Sequence, residues 1–150
     1  MLKIEDSADG IRCIGLNRPD KRNAIGVEMT LALEEVLVKT KQDASVKTIV
    51  FHGLGGHFCA GMDMKDFFDS STRPAELLQR ARAATEHWRI QLLREMPQKI
   101  FTAFEGYCLG SGCCFRRCEG LERGNADCFP SGEGFRNRRR RADLVHRRRR

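Results

Sequence analysis

Short apolar strands, each followed by a turn, constrain the fold of this chain more than any other feature. Residues 46–51 are β-branched and apolar and stop at the glycine-rich segment 53–56, as a buried strand does on leaving into a loop. Residues 11–16 alternate loosely and end in a turn at 17–20, and residues 99–105 are also strand-like. The sequence therefore predicts three strands.

Amphipathic helical stretches separate these strands. Residues 27–41 carry apolar side chains at helical spacing, and a second stretch opens at Arg73-Pro74 and stops at Pro97. In the second stretch, Trp88 lies on the apolar stripe and is expected in the core. The order strand, helix, strand, helix, strand predicts an α/β architecture.

Charge divides the chain at about residue 112. Residues 1–112 carry 15 Lys and Arg against 15 Asp and Glu, whereas residues 113–150 carry 12 Arg, 5 acidic residues and no Lys. The segment 113–150 shows no helical or strand pattern. We expect it to be a disordered Arg- and Cys-rich tail or the product of an out-of-frame reading, which the coding DNA can decide.

Several classes of protein are disfavoured. No apolar run approaches a membrane span and no signal peptide is evident, so we expect a cytoplasmic protein without a membrane partner. Seven cysteines without a secretion signal argue against a disulfide framework, and the cysteines of the tail lack paired spacing for zinc. No metal site is predicted.

Two glycine-rich turns, at residues 57–64 and 106–112, each follow a strand. Glycine lets the backbone approach a ligand closely, and the first amides of a helix are unpaired donors, so two such amides can meet at one oxygen. Neither turn has the Gly-Lys-Ser/Thr ending of a phosphate loop. Tight corners alone would also explain the glycines.

Four segments in order resemble the N-terminal signatures of the enoyl-CoA hydratase/isomerase (crotonase) family: residues 16–24, 48–53, 58–64 and 104–113. The resemblance covers about three quarters of the chain but only about the first half of a typical member. Residues 60–68, Trp88 ahead of 91–94, and Tyr107-Cys108 are similar to the hydroxycinnamoyl-CoA (feruloyl-CoA) hydratase-lyase branch. An aliphatic enoyl-CoA hydratase or isomerase stays open as an alternative.

The resemblance implies part of a crotonase-type spiral of ββα units and an acyl-CoA thioester as substrate, with coenzyme A as part of that substrate and no separate cofactor. It implies an oxyanion hole made by the backbone amides of Met62 and Ser111, where serine replaces the family's usual glycine. Contacts to the coenzyme A moiety are implied for Lys21, Ala60, Met62 and Met64.

The acid and base groups depart from the family pattern. The two positions that carry carboxyls in many members hold Cys114 and Gly134, and Glu133 lies in a context unlike the family's. By family the chain is a lyase, but we expect it to be truncated and weakly active or inactive. The resemblance also implies that full-length relatives form homo-trimers or hexamers, and we expect this chain to lack the C-terminal helices through which they assemble.

Two other functions remain open. The Arg-rich tail predicts salt-dependent binding to nucleic acid or another polyanion, whether specific or not. A non-catalytic interaction module built on the α/β part is the third hypothesis.

Overall fold

The computed structural model describes residues 1–69, 71, 73–117, 119–122 and 128–129, and the side chains of 113, 114 and 116 onward are outside that description. Within that range the elements follow one another as β1 (Leu2–Asp6), β2 (Ile11–Leu16), a 3-10 turn (Pro19–Lys21), α1 (Val27–Gln42), β3 (Thr48–Gly53), α2 (Met64–Phe68), α3 (Ala75–Glu86), a π-helical segment (His87–Leu92), α4 (Leu93–Glu95), β4 (Lys99–Phe104), β5 (Cys108–Leu109), a 3-10 helix (Gly110–Arg117), β6 (Glu119–Glu122) and β7 (Cys128–Phe129).

The main sheet has the strand order β1-β2-β3-β4-β6, and β5 pairs with β7 in a second sheet. β1 is antiparallel to β2, and the other neighbours are parallel, with Ile14 opposite Phe51 and Phe51 opposite Thr102. Parallel neighbours need crossovers, which α1 and the α2–α4 region supply. Because parallel strands end at one edge, the loops after β2, β3 and β4 lie together there. The predicted α/β class is confirmed.

The main core lies between the sheet, α1 and the helical stretch from α3 to α4. Met29, Leu33 and Leu37 of α1 are fully buried, which confirms the helical spacing read from the sequence. Trp88 is fully buried and stacks on Phe115 with ring centroids 5.4 Å apart, so its predicted place in the core is confirmed. No helix in the described part of the chain is long and apolar enough to cross a membrane.

A smaller apolar cluster joins the first turn of α1 to α2 and α3 through Val27, Phe67, Leu78 and Ala81. This cluster fixes the short helix α2 against α3. A helix of five residues has little stability of its own, so its position depends on the burial of Phe67, which is 1% exposed.

The structure differs from the sequence prediction at both ends. β1 was not predicted, because it is an edge strand of 5 residues with mostly exposed side chains, although Leu2 and Ile4 alternate with charged residues. At the other end, ordered elements continue past Gly112, where no pattern was found: the 3-10 helix extends to Arg117, and β6 pairs with β4. Such pairing uses backbone groups, which any sequence without proline supplies. The expected disorder or out-of-frame origin of the tail otherwise falls outside the described residues.

Candidate active site

Residues 58–63 run between two other segments at the sheet edge and bond to both. On one side, Phe58 N–H donates to Glu105 O at 2.7 Å and Cys59 N–H donates to Tyr107 O at 2.8 Å. On the other side, Ala60 N–H donates to Arg22 O at 2.9 Å. The loop after β3 is thus held between the loops after β2 and β4.

One amide in this run is open. Gly61 N–H donates to Cys59 Sγ at 3.3 Å, and Asp63 N–H donates to Ile25 O at 2.9 Å. Within the described part of the chain, the Met62 N–H alone among residues 58–63 has no acceptor. Backbone donors in such a half-buried position are nearly always paired, so an open one is available to a ligand.

The second predicted donor, Ser111, lies at the start of a helix. Because it is the second residue of the 3-10 helix Gly110–Arg117, its amide belongs to the first turn, whose N–H groups have no acceptor within the helix. The positive φ of this turn, +49°, falls on Gly110, and Ser111 has no such strain. Serine therefore fits the position where the family usually has glycine. Its side chain is buried, with the residue 7% exposed.

The two donor loops are in contact. A Cβ placed on Gly61, whose φ is +98°, would lie 3.1 Å from Leu109 O, and one placed on Gly110 would lie 3.6 Å from Gly61 Cα. Behind them, a Cβ on Gly112 would come within 2.9 Å of Cys59 Cβ. Gly61 and Gly112 are needed for the close approach of the two loops, and Gly110 is needed for its positive φ.

Asn23 fixes the loop after β2 to the loop after β3. Its amide nitrogen donates to Leu54 O at 2.8 Å and to His57 O at 2.7 Å, and its oxygen accepts from Arg18 N–H at 2.8 Å. Asn23 is fully buried and has φ of +56°, a conformation that asparagine tolerates better than most residues. It holds in place the strand-like segment that carries Met62.

Asp63 and Asp66 have different capping roles. Asp63 caps α2 by accepting from Asp66 N–H at 3.2 Å. Asp66 instead accepts from Val27 N–H at 2.8 Å and so caps α1. The two aspartates thus stabilise the N-termini of two helices that are distant in sequence.

A charged cleft of about 480 Å³, which we call the ion-paired cleft, lies on one side of α2. Its lining residues are Arg18, Lys21, Asp63, Lys65, Asp66, Asp69 and Arg73. Arg18 pairs with Asp63 at 2.9 Å, and Arg73 pairs with Asp66 at 2.8 Å and with Glu28. Within the described residues Lys21 and Lys65 have no ion pair, so their ammonium groups are available to an anion.

A second cleft, of about 620 Å³, begins at Met62 and runs between α2 and α3. We call it the arginine cleft, and it is lined by Met62, Phe67, Phe68, Gln79, Arg82, Ala83, Thr85, Glu86 and Arg89. The Arg82 guanidinium lies 5.4 Å from the centre of the Phe68 ring and donates to Phe67 O at 3.4 Å. In the described structure neither Arg82 nor Arg89 has a carboxylate partner.

The structure places the predicted coenzyme A residues in α2 and in the loops before it. Lys21 lines the ion-paired cleft, and the next residue, Arg22, pairs with Ala60. Met62 lines the arginine cleft, and Met64 begins α2 with 61% of its surface exposed. The structure does not describe the side chains at the acid and base positions. The backbone of Cys114 lies in the 3-10 helix, and residues 133 and 134 are outside the described residues.

Sequence reasoning missed Asn23, Arg82 and Arg89. The positive φ of Asn23 is invisible in a sequence, although Asn after a Pro-Asp turn is a weak signal for it. Arg82 and Arg89 are seven positions apart on the helical stretch and so share a face, but only α2 shows that this face borders the site.

The chain is similar in sequence to known proteins. The family model described as enoyl-CoA hydratase/isomerase matches residues 11–117. Hydroxycinnamoyl-CoA hydratase-lyase of Pseudomonas fluorescens is 34% identical over 112 residues, covering 74% of this chain and 40% of that protein. The chain thus spans less than half the length of this relative.

The chain is also similar in fold to solved structures of this family. Pseudomonas aeruginosa AtuE is 31% identical with a TM-score of 0.74, over 85% of this chain and 49% of that one. An enoyl-CoA hydratase/isomerase from Marinobacter aquaeolei is 26% identical with a TM-score of 0.73, over 85% of this chain and 50% of that one. The partial spiral fold expected from the sequence is confirmed by these structures.

Proposed function

Because the chain belongs to the enoyl-CoA hydratase/isomerase family, we propose that it binds an acyl-CoA thioester and holds the thioester oxygen between the backbone amides of Met62 and Ser111. The observation that carries the proposal is the open Met62 amide, flanked by amides that all have acceptors. Fixed donors of this kind act most strongly on an oxygen whose negative charge grows during reaction, as in a thioester enolate.

The charges around α2 support binding of the coenzyme A moiety. Lys21 and Lys65 supply two cations that form no ion pair in the described structure and are suited to phosphate oxygens, and the charge of Lys65 also acts on Asp69. Arg18 and Arg73 are occupied by Asp63 and Asp66, so their part is to hold the loops. The substrate then runs from the lysines, past Ala60, to the amides of Met62 and Ser111.

The proposed reaction is hydration of an enoyl thioester, either aliphatic or hydroxycinnamoyl. Water adds its oxygen to C3 and a proton to C2, and the enolate formed on the way is held by the two amides. Handling the water and proton requires positioned acids and bases. Since Cys114 and Gly134 occupy the positions expected for carboxyls, we expect slow turnover or none, and turnover at a rate usual for enzymes, about 10 per second, would contradict this.

Enolate stabilisation can be tested without turnover. Acetoacetyl-CoA loses a proton from C2 to give an enolate with its own ultraviolet absorption, and a bound enolate should appear when the protein is added at a pH where the free ligand is largely protonated. Met62→Pro removes the proposed donor, and loss of one such donor costs about 3 kcal/mol, or roughly a hundredfold in enolate stabilisation.

Met62→Ala is the matched control, because it shortens the side chain and keeps the N–H. We expect the enolate signal to survive in Met62→Ala and to disappear in Met62→Pro while the two variants unfold at similar urea concentrations. An equal signal in the wild type and Met62→Pro would overturn the role of this amide.

The Arg-rich C-terminus supports a second candidate function, polyanion binding, since nine of the last fifteen residues are arginine. Charge alone predicts salt-dependent binding to nucleic acid. A titration of the full chain with several RNA and DNA sequences tests it. A preference for sequence or structure would favour this function, whereas equal, salt-sensitive binding to all would argue against it.

A further inference from the structure

The arginine cleft starts at the residue whose amide is proposed to hold the thioester oxygen. Met62 is part of its wall, and from there the cleft follows the buried Phe67 and the exposed Phe68 toward α3. An acyl chain attached to a thioester at Met62 can therefore extend along the exposed Phe68 ring. At about 620 Å³, the cleft has ample volume for it.

The two arginines of this cleft form no ion pair within the described residues. Glu86 lies one helical turn after Arg82, a spacing that favours ion pairs, yet the two side chains are not paired. Arg82 lies instead over the Phe68 ring and bonds to a backbone carbonyl. Arg89 also has no carboxylate partner within the residues the structure describes. With Glu86 counted, two cations and one anion line the cleft.

We infer that the arginine cleft receives the acyl end of the substrate and that Arg82 and Arg89 select acyl groups ending in a carboxylate. This inference rests on the proposed function. A guanidinium presents two parallel N–H groups that match the two oxygens of a carboxylate. Phe68, which is exposed, contacts the carbon chain between that carboxylate and the thioester. A neutral acyl end would leave both guanidinium groups without an anion.

Two thioesters of equal length separate this inference from the proposed function. Adipoyl-CoA and hexanoyl-CoA have the same six-carbon chain and differ in the terminal carboxylate, and both can be titrated by calorimetry against the full chain. We expect adipoyl-CoA to bind about tenfold more tightly, as one charge-assisted contact would give. The difference should shrink as salt is added, because the cleft is open to solvent.

Variants identify the side chains responsible. The double variant R82Q/R89Q should lose the preference for adipoyl-CoA and keep its affinity for hexanoyl-CoA. Arg94→Gln is the matched control, since Arg94 is exposed on the same helical stretch outside the cleft, and it should keep the preference.

The possible results are distinguishable. Equal binding of adipoyl-CoA and hexanoyl-CoA by the wild type would overturn the inference alone, as would a preference that survives in R82Q/R89Q. Binding of neither thioester would overturn the proposed function and the inference with it.

Discussion

In the ion-paired cleft Arg18 and Arg73 each hold an aspartate, whereas in the arginine cleft on the other side of α2 Arg82 and Arg89 hold no carboxylate in the described structure. The same residue type thus has two uses within one site. Paired arginines fix the loops that carry the donor amides, and their charge is neutralised. Unpaired arginines keep their charge for a ligand. Stability and binding should therefore respond differently to substitutions on the two sides.

The largest expected effect comes from Asn23, which supports the loops of the ion-paired cleft. Asn23→Ala leaves Leu54 O and His57 O without donors and puts alanine at φ of +56°. We expect the free energy of unfolding to fall by about 3 kcal/mol, measured by urea denaturation. Asn17→Ala, at an exposed position, should change it by less than about 0.5 kcal/mol. Similar values for the two would mean that Asn23 does not hold the loops.

The comparison between the clefts is tested most directly by matched arginine substitutions. Arg18→Gln deprives Asp63, whose side chain is 14% exposed, of its ion pair and should cost about 1–2 kcal/mol. Arg89→Gln has no pair to lose and should change the free energy of unfolding by less than about 0.5 kcal/mol. Equal costs on the two sides would remove the distinction between structural and ligand-binding arginines.

A smaller, pH-dependent effect sharpens the contrast between two arginines of α3. Arg80, unlike Arg82, pairs with a carboxylate: Glu34, which also bonds to His87 at 2.7 Å. Burial opposes the ionisation of Glu34, but the hydrogen bonds from Arg80 and His87 outweigh it, and the pKa of Glu34 is lowered. Since the folded-state pKa lies below the unfolded value of about 4.3, the stabilisation is complete above that value and is lost as pH falls through the folded pKa.

Glu34→Gln should therefore flatten the acid side of the stability profile. Measured by urea denaturation at several pH values, the variant should be less stable than the wild type at neutral pH and should approach it in acid. A constant difference across the whole range would show that Glu34 contributes through packing and not through its charge.

The sequence predicts those helices and strands whose apolar residues recur at a regular spacing. The helical spacing of residues 27–41 predicted α1, and the apolar run 46–51 predicted β3, which the structure places at Thr48–Gly53, because burial on one face imposes a period. β1 and β6 escaped prediction because each is short and joins the sheet through backbone groups. Pairing through backbone groups cannot be predicted from the residues of the strand itself.

In the site, too, the features with a local motif were predicted and those formed by packing of distant segments were not. The two glycine-rich loops and their donors at Met62 and Ser111 were named from local motifs and remain predictions, now supported by an open amide and by loop contact. The arginine cleft could not be named, because it forms only where α2 packs against α3 through Phe67 and Leu78. Residues brought together by packing between distant segments have no signature in either segment.

The central claim is that the amides of Met62 and Ser111 bind the thioester oxygen. A crystal structure of the full chain with hexanoyl-CoA measures this directly. We predict the thioester oxygen at about 2.7–3.1 Å from both nitrogens, with the acyl chain in the arginine cleft. A thioester oxygen bonded to neither amide would contradict the claim.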